Sequence, residues 1–79
     1  MLKLVNNDGV KEVHSVFIDD GVVTIVDIES GKNVTHAEMN ELFPNFVEVI
    51  QESTSTAEVI TYLSLLNADY VWAHVSGSL

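Results

Sequence analysis

The stretch Val10–Glu29, VKEVHSVFIDDGVVTIVDIE, decides the fold. Two runs rich in β-branched residues, the first also carrying Phe17, flank Asp19-Asp20-Gly21. An Asp-Gly pair between such runs predicts a β-hairpin closed by a type I′ turn. Both central residues of that turn need φ > 0, and glycine meets the demand without steric cost. In the first run Val10, Glu12, His14, Val16 and Ile18 point one way, and Lys11, Val13, Ser15 and Phe17 the other. In the second, Val22, Thr24, Val26 and Ile28 share one face, and Val23, Ile25, Asp27 and Glu29 share the opposite one. Both faces of both strands therefore carry apolar residues. That pattern implies strands covered on two sides, or one face used as an interface.

On the amino-terminal side, Leu2–Val5 reads as a further strand, and Asn6-Asn7-Asp8-Gly9 as the turn that joins it to the hairpin. The three strands predict an antiparallel meander. On the carboxy-terminal side, Ser30-Gly31-Lys32-Asn33 breaks the last strand. Thr35-His36-Ala37-Glu38 fits a capping box, in which threonine caps the Glu38 amide and the glutamate reaches back to the threonine amide. The helix that follows is expected over 35–43, with Met39, Leu42 and Phe43 on its buried side, and Pro44 stops it.

Phe46–Gln51 (FVEVIQ) reads as a strand on its β-branched content, with a helix restarting at Pro44 as the alternative. Ser53-Thr54-Ser55-Thr56 is a polar link, and Ser55 with Glu58 repeats the capping-box spacing. The next helix is expected to run to Asn67. Val59, Tyr62, Leu63 and Leu66 form its apolar stripe into the core, and Asn67 is its expected left-handed C-terminal residue. Tyr70–Val75 closes the sheet as a strand, and 76–79 reads as a frayed end. The whole is one α+β domain over 1–79: a single-layer sheet in the order β-β-β-α-β-α-β, with helices packed on one face. If its last two strands are parallel neighbours, their crossover is right-handed.

Composition bounds the function. The chain has 79 residues, is 47% hydrophobic and 19% charged, and carries a net charge of −9. It is too apolar for disorder. It contains no cysteine, which excludes disulfides, thiolate metal sites and thiol catalysis. The absence of staples in a domain this small leans towards a reducing, cytoplasmic setting. The start, MLKLVNNDG, is too short and polar for a signal peptide, and no apolar run approaches the ~20 residues that cross a membrane. Asn33-Val34-Thr35 matches a glycosylation sequon but lacks the secretory context that would use it.

Twelve acids face three lysines and no arginine, and all three lysines (Lys3, Lys11, Lys32) precede Asn33. Nucleic-acid affinity comes from lysine and arginine neutralising phosphates, so direct nucleic-acid binding is not expected, nor is attraction to an anionic membrane.

No motif identifies a family. His14, His36 and His74 have no metal-ligand spacing. His36-Ala37-Glu38 shares the His-x-Glu of zinc deaminases without the two cysteines that signature requires. Asp27 and Glu29, read as neighbours on one strand face, are the best pair for a divalent cation or for acid–base work, but no spacing adds further ligands. The hydroxyls at 53–56 lack a nucleophile elbow and a base. No catalytic residue, metal site or cofactor is expected. Tyr62 belongs to the helical stripe, and Trp72 reads as core, or else as an exposed aromatic anchor.

The acids remain. Asp19, Asp20, Asp27, Glu29, Glu38, Glu41, Glu48 and Glu52 either keep the domain soluble or form a carboxylate-rich face. Such a face mimics the spacing and charge of phosphates and suits a protein partner with a basic, nucleic-acid-binding surface. The expected function is a non-enzymatic binding module that inhibits or regulates such a partner. In type, though not in sequence, it resembles small accessory proteins of bacteriophages. The alternatives are a self-assembling homo-oligomeric module and, behind it, a metal-dependent enzyme using Asp27 and Glu29.

Overall fold

The Asp-Gly turn forms as its chemistry requires: Asp20 at φ 51° and Gly21 at φ 81° occupy the two positive-φ positions between β2 (Glu12–Asp19) and β3 (Val22–Asp27). In the computed structural model, which describes residues 1–75, β1 (Leu2–Asn7) pairs antiparallel with β2, completing the expected meander. Two further strands extend it. The two-residue β4 (Asn33–Val34) adds to β3, and β5 (Val71–His74) adds to the other side of β1. The sheet order is β4-β3-β2-β1-β5, antiparallel throughout. No parallel pair arises among the described residues, so the conditional crossover has no place here. The end at 76–79 lies outside the described residues.

Three helices follow one another between β4 and β5: α1 (His36–Leu42), α2 (Phe46–Glu52) and α3 (Thr56–Leu66). The α1 capping box is complete, with Glu38 N–H donating to Thr35 Oγ1 at 3.1 Å and Thr35 N–H to Glu38 Oε2 at 3.3 Å. The α3 cap is half of one: Glu58 N–H donates to Ser55 Oγ, while the Glu58 carboxylate takes Thr54 N–H and Oγ1–H instead of the Ser55 amide.

Residues 46–51, expected as a strand, form helix α2. Asn45 sits in the left-handed region (φ 60°, ψ 37°), which turns the chain into a new helix immediately after Pro44. Asn40 Oδ1, six residues upstream, accepts from Phe46 N–H at 3.0 Å and caps the new helix. Phe46 and Ile50, one helical turn apart, are then buried together.

Cross-strand register places Leu4, Val16, Ile25 and Trp72 on the helix-facing side of the sheet. They meet Met39, Phe43, Phe46, Ile50, Val59 and Leu63 in one core. Phe43 stands edge-on to Trp72 at 5.2 Å between centroids, and Phe46 lies 5.9 Å from each of them. The α3 stripe is narrower than its spacing implies, since only Val59 and Leu63 are buried, whereas Tyr62 is 48% exposed. Asn67 ends α3 with φ −151°, an extended residue instead of a left-handed one. Its side chain does the joining: Nδ2 donates to Leu42 O, and Oδ1 accepts from Asp69 N–H.

The other face of the sheet is covered by none of the described helices. Val5, Ser15, Phe17, Val22, Thr24, Val26, Val71 and Ala73 lie there by register, and Lys3 Nζ sits 5.2 Å above the Phe17 ring.

Candidate partner-binding surface

Charge is divided between the two layers. The three helices carry Glu38, Glu41, Glu48, Glu52 and Glu58 and not one lysine or arginine, while Lys3, Lys11 and Lys32 all belong to the sheet and its loops. The only ion pair among the described residues, Lys11 Nζ to Glu29 Oε2 at 2.7 Å, is also on the sheet side. The helix layer therefore presents its carboxylates without a cation to balance them.

The structure splits the eight expected acidic residues into two groups. Asp19 and Asp20 occupy the hairpin tip, and Gln51 Nε2 donates to Gly21 O at 3.3 Å, holding that tip against α2. The tip acids thus adjoin the helix bearing Glu48 and Glu52, and Glu52 and Glu58 line a shallow cleft between α2 and α3 together with Tyr62. Glu38 and Glu41 continue the layer along α1.

Asp27 and Glu29 lie at the far end of the hairpin, roughly 17 Å away by the rise of a strand. They are also already engaged. Asp27 Oδ1 accepts from Ser30 N–H at 2.8 Å, and such donors hold its carboxyl below the ordinary range. Glu29 pairs with Lys11, whose ammonium is held above its ordinary value by that partner. Strand β3 ends at Asp27, so Glu29 sits in the following turn and the two do not share a strand face as expected.

Trp72 is 4% exposed and part of the core, which leaves no aromatic anchor at that position. The histidines stand apart. His36 Nε2–H donates to Val23 O at 2.8 Å, His74 is exposed on β5, and His14 is buried at 5% exposure. Among the described residues no group of three histidine, aspartate or glutamate side chains is placed to hold a metal ion.

One buried polar feature was not foreseen. Asn6 is fully buried, and its Oδ1 accepts from the His14 main-chain N–H at 2.8 Å and lies 3.2 Å from His14 Nδ1. A carbonyl oxygen can only accept, so Nδ1 carries the proton of the neutral ring. Burial pushes the His14 pKa down, with Asp27 opposite it on β3 partly opposing the shift. The remaining donors of this cluster, Asn6 Nδ2 and Trp72 Nε1, have no partner. Asn6 escaped notice because it opens the turn-like Asn-Asn-Asp-Gly; a β-bulge at Asn6/Asn7 carries β1 further than that signal suggests.

No protein-family model matches the chain, and neither a curated protein nor a solved structure gives a significant match.

Proposed function

We propose that this domain is a non-enzymatic binding module whose helix layer meets a basic surface of a protein partner, as an inhibitor or regulator of a nucleic-acid-binding protein would. The observation that carries this reading is the segregation of charge: three consecutive helices with five glutamates and no cation, on a chain whose lysines all lie on the sheet side. Acids spread evenly for solubility would be interleaved with lysines on both layers. A layer of carboxylates with no cation among them steers an oppositely charged partner towards that surface. The hairpin tip, tied to α2 through Gln51, brings the Asp19-Asp20 turn next to the end of the acidic layer.

The test is affinity capture from the source cells with the native chain and with a Glu41→Gln/Glu48→Gln/Glu52→Gln variant, each at low and at raised salt. A partner with a basic surface should be retained by the native chain, released as the Debye length shrinks, and lost with the triple variant. Partners that stay bound to the variant at high salt would exclude the reading. Circular dichroism checks that the variant is folded, which these exposed positions favour.

A further inference from the structure

The two edges of the sheet are treated differently. At the β4 edge the strand is two residues long, follows Lys32, and the ring of His36 occupies the Val23 carbonyl beyond its end. Brevity, charge and a side-chain cap are the usual means of keeping an edge from pairing. Strand β5, four residues long, has neither the charge nor the side-chain cap. It carries no lysine, proline or bulge, and no described strand lies on its outer side.

Hydrogen-bond alternation shows which groups it offers. Val75 N–H donates to Lys3 O at 2.9 Å, and the register pairs Val5 with Ala73 and Asn7 with Val71. In an antiparallel ladder the main-chain groups of alternate residues point to opposite sides. The N–H and C=O of Val71, Ala73 and Val75 therefore face β1, and those of Trp72 and His74 face outwards. We propose that a second copy of this chain adds at β5, antiparallel, about a two-fold axis normal to the sheet at Ala73. Trp72 and His74 of each copy then exchange main-chain hydrogen bonds with His74 and Trp72 of the other. Ala73 meets its own equivalent as the close, non-hydrogen-bonded pair, where a small side chain fits, and Val71 lies opposite Val75 on the outer face. This register keeps every side chain on its own face, and it makes one ten-stranded sheet from two of five strands.

Charge selects a second copy as the occupant. A chain of net charge −9 repels itself wherever carboxylates meet, and β5 (Val71, Trp72, Ala73, His74) holds no carboxylate, lysine or arginine. The helix packed on β5 is α3, which has a single glutamate in its first turn, whereas α1 and α2 each carry two. The β5 side is thus where two copies approach with least repulsion. The exposed Val71 and Val75, at 61% and 37%, gain apolar partners there. The acidic faces of α1 and α2 stay free, so this inference is independent of the proposed function.

The chain has no cysteine, so a single Ala73→Cys substitution is a clean reporter. Across the proposed axis the Cα atoms lie about 4.5 Å apart, within the range a disulfide spans. Oxidation should link Ala73→Cys chains at least about tenfold faster than chains with Thr24→Cys, an exposed position on β3 at the other side of the sheet. Ala73→Lys sets like charges face to face and should weaken the dimer seen by sedimentation at least about tenfold, with the unfolding midpoint of the monomer unchanged. Equal linking rates for the two cysteine variants, or a native chain that sediments as a monomer at every concentration, would overturn the proposal; the latter leaves the edge to an extended peptide of another protein.

Discussion

The core has a dry end and a polar end, and they hold the fold in different ways. At the dry end Met39, Phe43, Phe46, Ile50, Val59 and Leu63 close over Leu4, Val16 and Ile25, all apolar and nearly all fully buried. At the polar end Asn6 and His14 bond to each other beside the Trp72 indole, and two donors, Asn6 Nδ2 and Trp72 Nε1, are without partners. Loss of apolar volume should dominate at the first end. At the second, the result should depend on which polar atom a substitution strands and on pH.

The largest effect is expected at the dry end. Phe46 is fully buried, touches Phe43 and Trp72, and anchors the helix that begins with it. Phe46→Ala should lower the unfolding free energy by about 3–5 kcal/mol in a denaturant titration, since the transfer and cavity terms add. In a chain this small that is a large part of the total stability. A loss under about 1 kcal/mol would mean that α2 does not pack as described.

Asn6→Ala tests the polar end. It removes little apolar area but takes away the Oδ1 that accepts from the buried His14 main-chain N–H, a change worth about 1–3 kcal/mol. A neutral result would show that the bond to Asn6 is dispensable. Asn6→Asp would keep the acceptor and place a carboxylate beside the ring, so it should raise the pKa of His14; an NMR titration of the ring protons reads this directly.

These two ends also differ in how legible they were. The dry end follows from periodicity: the capping box before Met39, the Val59–Leu63 spacing and the Asp-Gly turn all form as their chemistry predicts. Residues 46–51 were misread because β-branched content reports how well side chains pack on a half-buried surface, and Val47, Val49 and Ile50 pack as well from a helix as from a strand. What decides between the two is the left-handed Asn45 and the distant cap from Asn40, and neither is a compositional signal. The polar end was hidden more deeply. Asn6 looked like a turn residue, and its bond to His14 links positions on two strands that only the bulged register brings together. The acids were legible as a count, but their division between layers came from the order of the helices in space.

His14 makes the polar end sensitive to pH in a window the dry end cannot share. Its folded pKa lies below the ordinary value of 6.5, because burial penalises the imidazolium. The unfolded chain therefore binds the proton first, and the stability this group contributes is complete above about pH 6.5 and is lost as pH falls from there through the folded pKa. The loss is bounded by one proton, or roughly 1.4 kcal/mol per pH unit. Asp8 and Asp27, held below their ordinary 3.8 chiefly by main-chain N–H donors, act with the same sign but only at much lower pH. Denaturant midpoints measured across the mildly acidic range should slope downwards for the native chain and flatten for His14→Gln. Parallel slopes for the two proteins would place the effect elsewhere.

The smallest change is expected where the two ends meet, at Trp72. The indole packs on Phe43 and Phe46, so it belongs to the dry end by contact, yet its Nε1–H is buried with no acceptor. Trp72→Phe gives up part of the apolar area, which costs about 1–2 kcal/mol at ~25 cal/mol per Å². It also removes the stranded donor, whose burial costs about 1–3 kcal/mol. The two contributions oppose each other and are of similar size, so the net change should lie within about 1 kcal/mol of zero. A loss as large as that of Phe46→Ala would show that Trp72 behaves as a plain core residue. In that case the unpartnered nitrogen would carry little of the polar end's cost, and Asn6 Nδ2 would carry the rest.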